Sequence, residues 1–202
     1  MEYRKFPRKL ENPVDNLILD VGDVLSPIFK KLNFTPNTLT FISMILGLLA
    51  IYFYAKKKYV WSAIMFFISY MFDCFDGYYA RKYKMVTKFG DIFDHAKDVI
   101  VTVGILWLIY NKYKTAPDLR KYLPFVYIIL AVTVLPMYLG CQAIYHDHKT
   151  KSNDSMTLNP TKRMCPTKDP KKIPSVMKIL RYGGAASTQL YLCFLILFSA
   201  TF

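Results

Sequence analysis

Residues 73–98 read DCFDGYYARKYKMVTKFGDIFDHAKD and contain a series of aspartates at helical spacing. Asp73 and Asp76 are three residues apart, and Asp94 and Asp98 are four residues apart. Side chains at these spacings share one face of a helix. The flanking residues are apolar enough to lie in a membrane, where a carboxylate costs at least about 2.5 kcal/mol. The four carboxylates therefore predict a compensating partner, most simply divalent metal.

The composition of the chain indicates a membrane protein. Its 202 residues are 53% hydrophobic and 16% aromatic, and the mean hydropathy is +0.20. This is too apolar for an ordinary soluble domain of this size. Stretches of about 20 apolar residues are long enough to cross a bilayer. We therefore predict an all-α integral membrane protein with about five transmembrane helices, at residues 37–55, 61–80, 92–111, 122–145 and 182–202.

An additional helix is predicted ahead of the first span. Asn12-Pro13 is typical of a helix start, and the apolar residues that follow form one stripe, with Leu17, Val21 and Val24 among them. This pattern favours an amphipathic helix in the plane of the membrane interface. A helix packed on a soluble partner is the alternative. Because a long charged segment precedes the first span, no secretory signal is visible and we expect that span to stay as an anchor.

The basic residues predict how the chain is oriented. The net charge of +13 would suggest nucleic acid in a soluble protein, but here the charges lie between apolar spans. Anionic lipid and phosphate are therefore the expected partners, and nucleic acid is not. Twenty lysines and arginines fall on one side of the spans and seven on the other. The first side, which includes the aspartates, should be cytoplasmic, although Arg81 and Lys97 in this count can be functional instead.

The cysteines and histidines indicate no metal or disulfide framework. Cys74, Cys141, Cys165 and Cys193 form no CxxC pair, so we interpret them as small packing residues. His146 and His148 have no further ligand type nearby and fall in a polar stretch that predicts a solvated loop.

The aspartates predict a site for hard cations. If residues 83–89 form a turn, the second and third spans are antiparallel neighbours and the two acidic pairs meet. Carboxylates in this number suit magnesium, manganese or calcium rather than zinc or copper. Gly77, Ala80 and Gly90 would let a helix or a ligand approach closely, and helix packing alone is the simpler alternative. Arg81 carries a planar cation that can grip a diphosphate with two hydrogen bonds.

The complete pattern is Asp73-x-x-Asp76-Gly77-x-x-Ala80-Arg81, followed by Gly90-x-x-x-Asp94-x-x-x-Asp98. It resembles the signature of the CDP-alcohol phosphotransferase (CDP-alcohol phosphatidyltransferase) family, and eight fixed residues match by chance roughly once in 10^10 starts. Pro36-Asn37-x-Leu39-Thr40 is similar to another element of that family. The likeness covers about residues 12–145, and from His146 we find no family motif. The family commonly has six spans, against five here.

The resemblance implies a divalent-metal-dependent transferase that moves a substituted phosphate from a CDP-alcohol donor to an alcohol acceptor and releases CMP. It further implies two Mg²⁺ or Mn²⁺ ions, a homodimer and an active site that faces the cytoplasm. Asp98 would take the proton from the acceptor and also touch metal. By the same resemblance the metal ligands would be Asp73, Asp76, Asp94 and Asp98, and the nucleotide-binding residues would be Asn37, Thr40, Asp73, Gly77, Ala80, Arg81 and Gly90. For Asn37 and Thr40, hydrogen bonding within the helix start is an open alternative.

The substrates are less closely defined. Lys178 and Arg181 could bind an anionic acceptor, and snorkelling to the interface is the alternative. Asp94-His95 resembles the choline and ethanolamine phosphotransferases, which join CDP-choline or CDP-ethanolamine to diacylglycerol, whereas the chain length suits enzymes of phospholipid biosynthesis that use CDP-diacylglycerol. We predict phosphatidyl transfer from CDP-diacylglycerol. A cation channel or transporter would leave the spaced glycines and Arg81 unexplained, and a non-catalytic descendant would not need Asp98.

The chain then divides into four predicted parts. Residues 1–35 form a cytoplasmic segment with the interfacial helix, and residues 36–145 form a catalytic core of four spans. Residues 146–181 form a cytoplasmic polar loop, and residues 182–202 form the last span.

Overall fold

The computed structural model describes residues 4–150 and 159–202, and within them the secondary structure is helical, without strands. Four short 3-10 helices connect or end the main helices. The main helices are α1 (Pro13–Lys31), α2 (Pro36–Ala55), α3 (Tyr59–Lys82), α4 (Lys88–Tyr113), α5 (Leu123–Val132), α6 (Val134–Thr150), α7 (Ile173–Leu180) and α8 (Ala185–Phe198).

Three segments of the described chain are long and apolar enough to cross a membrane: Pro36–Ala55, Leu119–His148 and Ile173–Thr201. Helices α3 and α4 contain 24 and 26 residues, which at 1.5 Å per residue is also enough to cross a bilayer. These two helices carry the charged residues of the acidic pattern. The predicted all-α membrane fold is confirmed, and three of its five predicted spans correspond to segments identified by length and apolarity.

Helix α1 packs along the bundle rather than standing apart from it. The Asn12 side chain accepts a hydrogen bond from the Val14 amide, which caps the helix at its start. Ile18 and Phe29 are buried against the bundle, and a Cβ on Gly22 would lie 2.7 Å from the Phe75 ring. The predicted single stripe is therefore divided between two faces. One packs on α3 and α8, and the other leaves apolar side chains exposed, namely Leu17, Val21, Val24 and Ile28.

Helix α2 contacts both helices that carry the aspartates. Ser43 and Ser69 each donate a side-chain hydrogen bond to the other's carbonyl oxygen, at 2.8 and 2.7 Å, which joins α2 to α3. On its other side, a Cβ on Gly47 would lie 2.6 Å from Val101 of α4. Small residues and interhelical hydrogen bonds of this kind hold membrane helices close together. The two acidic helices are thus both held by α2.

The predicted fourth span is broken at Thr133, between α5 and α6. Pro136 lies just inside α6, and a proline cannot supply the amide hydrogen bond to the carbonyl four residues earlier, here that of Val132. Helix α6 then continues to Thr150 and α7 begins at Ile173. Both helices therefore extend into the region predicted as a polar loop at residues 146–181. Residues 151–158 of that loop lie outside the described residues.

Cys141 and Cys165 form a disulfide, so the interpretation of these cysteines as packing residues was wrong. The two are 24 residues apart in sequence, and the segment Asn159–Met164 folds back onto α6. A Cβ on Gly140 would lie 2.1 Å from the Thr161 carbonyl oxygen, so only glycine permits this approach. Cys74 and Cys193 are free thiols.

Candidate active site

The turn between α3 and α4 is compact and sets the start of α4. Helix α3 ends at Lys82 and α4 begins at Lys88. The Thr87 hydroxyl oxygen accepts a hydrogen bond from the Gly90 amide at 3.0 Å, which caps α4. The C-terminal end of α3 and the N-terminal end of α4 therefore lie at the same end of the bundle, as the sequence predicted.

Three of the predicted carboxylates meet between these helices. One oxygen from each of Asp73, Asp76 and Asp94 lies within 4.8 Å of the other two. Asp94 Oδ1 is buried and accepts no hydrogen bond from the described residues, although the Lys97 ammonium lies 3.4 Å from it. Hard oxygen donors so close together, one of them without a hydrogen bond, fit a divalent cation.

Asp98 lies outside that group of three. Its side chain is 46% exposed, and it lines a second cavity of about 20 Å³ together with Asp73. Gln189 of α8 also lines this second cavity. The fourth aspartate is thus close to the acidic group but faces a different space.

Lys97 places a positive charge inside the acidic cluster. Its side chain is 2% exposed. The ammonium contacts Asp73 and lies 2.7 Å from Asp98 and 3.4 Å from Asp94. It thus pairs with three of the four aspartates, which the sequence pattern alone does not show.

Helix α2 contributes two predicted residues. The Thr40 hydroxyl lies 2.5 Å from Asp76 Oδ2 and 3.1 Å from the Pro36 carbonyl oxygen. Thr40 therefore hydrogen-bonds within its own helix start and also with a signature carboxylate. A Cβ on Gly90 would lie 3.1 Å from the Asn37 side-chain oxygen, so Asn37 and Gly90 are close neighbours.

A cavity of about 180 Å³, the main cavity of the site, opens beside the acidic cluster. Two of the predicted metal-binding aspartates, Asp76 and Asp94, line it, whereas Asp73 lines the second cavity. Six of the predicted nucleotide-binding residues line the main cavity: Asn37, Thr40, Gly77, Ala80, Arg81 and Gly90.

Gly77 and Gly90 make room for protein side chains as well as for a ligand. A Cβ on Gly77 would lie 3.2 Å from a guanidinium nitrogen of Arg81. The Arg81 side chain therefore lies over Gly77, at the wall of the main cavity. Gly90 in turn admits the side chain of Asn37, so both glycines position polar groups that line the cavity.

Lys5 and His146 also line the main cavity, and sequence reasoning missed both. His146 was predicted to lie in a solvated loop, but α6 extends beyond the predicted end of the span and His146 is buried. The Phe6 ring packs edge-on against the His146 ring at 6.5 Å between centroids. His146 lies four residues after Gln142, so a longer helix would have put both side chains on one face. That spacing was the signal in the sequence for His146. Nothing local marked Lys5.

The two predicted acceptor-binding residues do not line the main cavity. Lys178 is exposed on α7. Arg181 hydrogen-bonds with the Lys9 carbonyl oxygen at 3.0 Å and with the Tyr182 hydroxyl at 2.7 Å. Arg181 therefore links the N-terminal segment to the start of the last span.

The fold and the site define a helical integral membrane protein with a carboxylate-lined cavity at one end of its bundle. The chain belongs to the CDP-alcohol phosphatidyltransferase family, because the model of that family matches residues 33–199. The match includes the helices after His146, in which the sequence showed no family motif.

Curated relatives agree with this membership. The chain is 32% identical over 80 residues to a protein of Rickettsia felis and 33% identical over 67 residues to one of Aquifex aeolicus. These matches cover 38% and 33% of this chain, and 44% and 38% of the relatives. Both relatives are named CDP-diacylglycerol--glycerol-3-phosphate 3-phosphatidyltransferase. The matched part spans less than half of their length, and no solved structure matches the chain.

Proposed function

We propose that this protein transfers the phosphatidyl group of CDP-diacylglycerol to a hydroxyl acceptor and releases CMP. The observation that carries the proposal is the main cavity, which is lined by Asp76, Asp94, Gly77 and Arg81 together. The names of the matched relatives support CDP-diacylglycerol as the donor and glycerol 3-phosphate as the acceptor. An acceptor of this kind is anionic, and Lys5, Arg81 and His146 are basic residues of the same cavity.

The donor nucleotide would occupy the main cavity. Arg81 would bind the diphosphate, since a guanidinium can donate two parallel hydrogen bonds to phosphate oxygens. Its position over Gly77 directs it along the cavity wall. Asn37 and Thr40 would contact the nucleotide from α2, and Gly77, Ala80 and Gly90 would allow it to approach the helices.

Asp73, Asp76 and Asp94 would hold divalent cation, Mg²⁺ or Mn²⁺, and Asp98 would complete a second ion site. Such ions neutralise charge on a diphosphate and on the leaving phosphate. The Thr40 hydroxyl, 2.5 Å from Asp76, would orient that carboxylate.

The chemical step is an in-line displacement at phosphorus. The acceptor oxygen forms a bond to the phosphorus of the phosphatidyl group while the bond to the CMP oxygen breaks. The Asp98 carboxylate would take the proton from the acceptor hydroxyl. Because Asp98 and Asp73 face the second cavity while Asp76 and Asp94 face the main one, the acidic cluster has access from two sides.

The proposal also includes the orientation of the protein in the membrane and its oligomeric state. The excess of basic residues on one side supports an active site that faces the cytoplasm. The homodimer implied by the family resemblance stays a prediction.

The test is CMP release by the purified protein, with Mg²⁺ or Mn²⁺ present and then removed by EDTA. CDP-diacylglycerol with glycerol 3-phosphate should release CMP, whereas CDP-choline or CDP-ethanolamine with diacylglycerol should not. Asp98→Asn should lower the rate by about 10²-fold or more, because it removes the proton acceptor. Asp118→Asn, which changes an exposed carboxylate in the α4–α5 connection, is the matched control. Full activity of Asp98→Asn would contradict the proposed role, and release only from CDP-choline or CDP-ethanolamine would overturn the donor assignment.

A further inference from the structure

Lys97 is the basic side chain that lies within the acidic cluster. Its ammonium touches Asp73 and is 2.7 Å from Asp98, and only 2% of its side chain is exposed. Asp94 and the Ser43 hydroxyl, each at 3.4 Å, are its further polar neighbours. Position 97 is none of the fixed positions of the family signature.

The surroundings of Lys97 keep its ammonium in the cluster. Val99 and Ile100 follow on the same helix and are 61% and 55% exposed, on the outside of the bundle. An ammonium turned toward that apolar outer face would lose its carboxylate partners and meet hydrocarbon, which is costly. The inward orientation is therefore the favourable one.

The Lys97 ammonium contacts the carboxylates of the cluster unequally. Asp73, Asp76 and Asp94 offer three oxygens within 4.8 Å of one another, and of these Asp76 forms no ion pair with Lys97. Both carboxylates of a site formed by Asp73 and Asp98 pair with the ammonium. A divalent ion shared by Asp73 and Asp98 would have to bind beside this fixed positive charge, and like charges at such distances repel.

We propose that Lys97 acts as a built-in monovalent cation that competes with divalent metal for Asp98. The group of three carboxylates then binds a divalent ion first, and the site that includes Asp98 binds a second ion at least tenfold more weakly. Lys97 also holds the carboxylates together when no divalent ion is bound. This inference rests on the proposed metal-dependent function.

The first experiment is a titration of the purified, metal-stripped protein with Mn²⁺, in which electron paramagnetic resonance measures free Mn²⁺. The unaltered chain should show one tight site and one weaker site. Lys97→Met keeps the length of the side chain and removes its charge, and it should tighten the second site tenfold or more. Lys88→Met removes an exposed lysine from the same helix and should change neither site. Equal tightening of both sites, or none, in Lys97→Met would overturn the inference.

A second readout covers the possibility that Lys97→Met folds poorly. Without divalent metal, Lys97→Met leaves the negative charge of the carboxylates uncompensated. Its unfolding temperature in EDTA should therefore be lower than that of the unaltered chain, whereas Lys97→Arg should retain most of the stability. Mn²⁺ should then stabilise Lys97→Met more than the unaltered chain, because a ligand stabilises a protein according to its affinity for the folded state. Identical Mn²⁺ stabilisation of the two would overturn the inference alone. Absence of Mn²⁺ binding in every variant would overturn the proposed function as well.

Discussion

Thr40 shows how a single side chain connects two elements of the site. Its hydroxyl lies in the first turns of α2, near the Pro36 carbonyl oxygen, and 2.5 Å from Asp76 on α3. The side chain is 2% exposed, so water does not replace it as a partner of Asp76. A hydrogen bond to a metal-binding carboxylate fixes the orientation of that ligand.

Removal of the Thr40 hydroxyl should weaken metal binding. Thr40→Val keeps the shape of the side chain but removes its donor, and we expect the affinity for Mn²⁺ to fall by about tenfold or more. The same Mn²⁺ titration measures this change, and Thr40→Ser, which retains a hydroxyl, should bind as the unaltered chain does. If Thr40→Val binds Mn²⁺ with unchanged affinity, Thr40 does not position Asp76.

Helix α1 carries acidic residues in two different environments. Asp15 is buried, and the Tyr70 hydroxyl hydrogen-bonds with its carboxylate. Burial raises the pKa of Asp15 to about 7, since the charged form is poorly solvated there. Asp20 lies on the outer side of the same helix, where hydrogen bonds from Arg8 lower the pKa of its carboxyl group. Protonation of Asp15 should therefore favour the folded state, whereas protonation of Asp20 should disfavour it.

The folded chain binds a proton at Asp15 more tightly than the unfolded chain does, because in the unfolded chain the pKa of Asp15 is near its ordinary value of 3.8. Stability should therefore fall as pH rises from about 4 to about 7. Asp15→Asn removes this unfavourable contribution. At pH 8 it should increase the free energy of unfolding by on the order of a few kcal/mol and therefore raise the unfolding temperature.

Thermal unfolding in detergent and EDTA across this pH range measures the effect of Asp15. Asp20→Asn is the control with the opposite sign, because its ion pairs with Arg4 and Arg8 stabilise the fold only while the carboxyl group is charged. An unchanged pH profile in Asp15→Asn would show that its carboxyl group does not titrate in this range.

The N-terminal segment and the C-terminal helices form one end of the whole molecule. The Tyr138 hydroxyl donates a hydrogen bond to the Leu10 carbonyl oxygen at 2.8 Å, and the Asn12 side chain donates one to the Arg181 carbonyl oxygen at 2.7 Å. Phe6 and Leu10 pack in the same apolar cluster as the disulfide cysteines. Lys5 therefore reaches the main cavity from the same end. Disulfides are typical of oxidising compartments, whereas the basic residues predict the cytoplasm for this end.

The orientation of the bundle can be measured with single cysteines at the two ends of α3 and α4. Lys58 and Lys88 are both exposed; Lys58 directly precedes α3 and Lys88 is the first residue of α4, so they mark opposite ends of the bundle. In intact cells, a membrane-impermeant maleimide should label Lys58→Cys but should label Lys88→Cys only after the membrane is opened. The unaltered chain gives the background, since its free thiols are partly buried. The reverse labelling pattern would place the active site outside the cytoplasm.

The sequence by itself determined the helical membrane fold and the signature residues of the site. Both depend on local spacing, because apolar length predicts a span and intervals of three or four residues put Asp73 with Asp76, and Asp94 with Asp98, on one helix face. Only the tertiary structure decided which helix faces meet. It separated Asp98 from the other three carboxylates, placed Lys97 among them and brought Lys5 and His146 to the main cavity. These contacts join residues far apart in the chain, and their geometry depends on packing through α2 and on the extended helix α6, which no local pattern specifies.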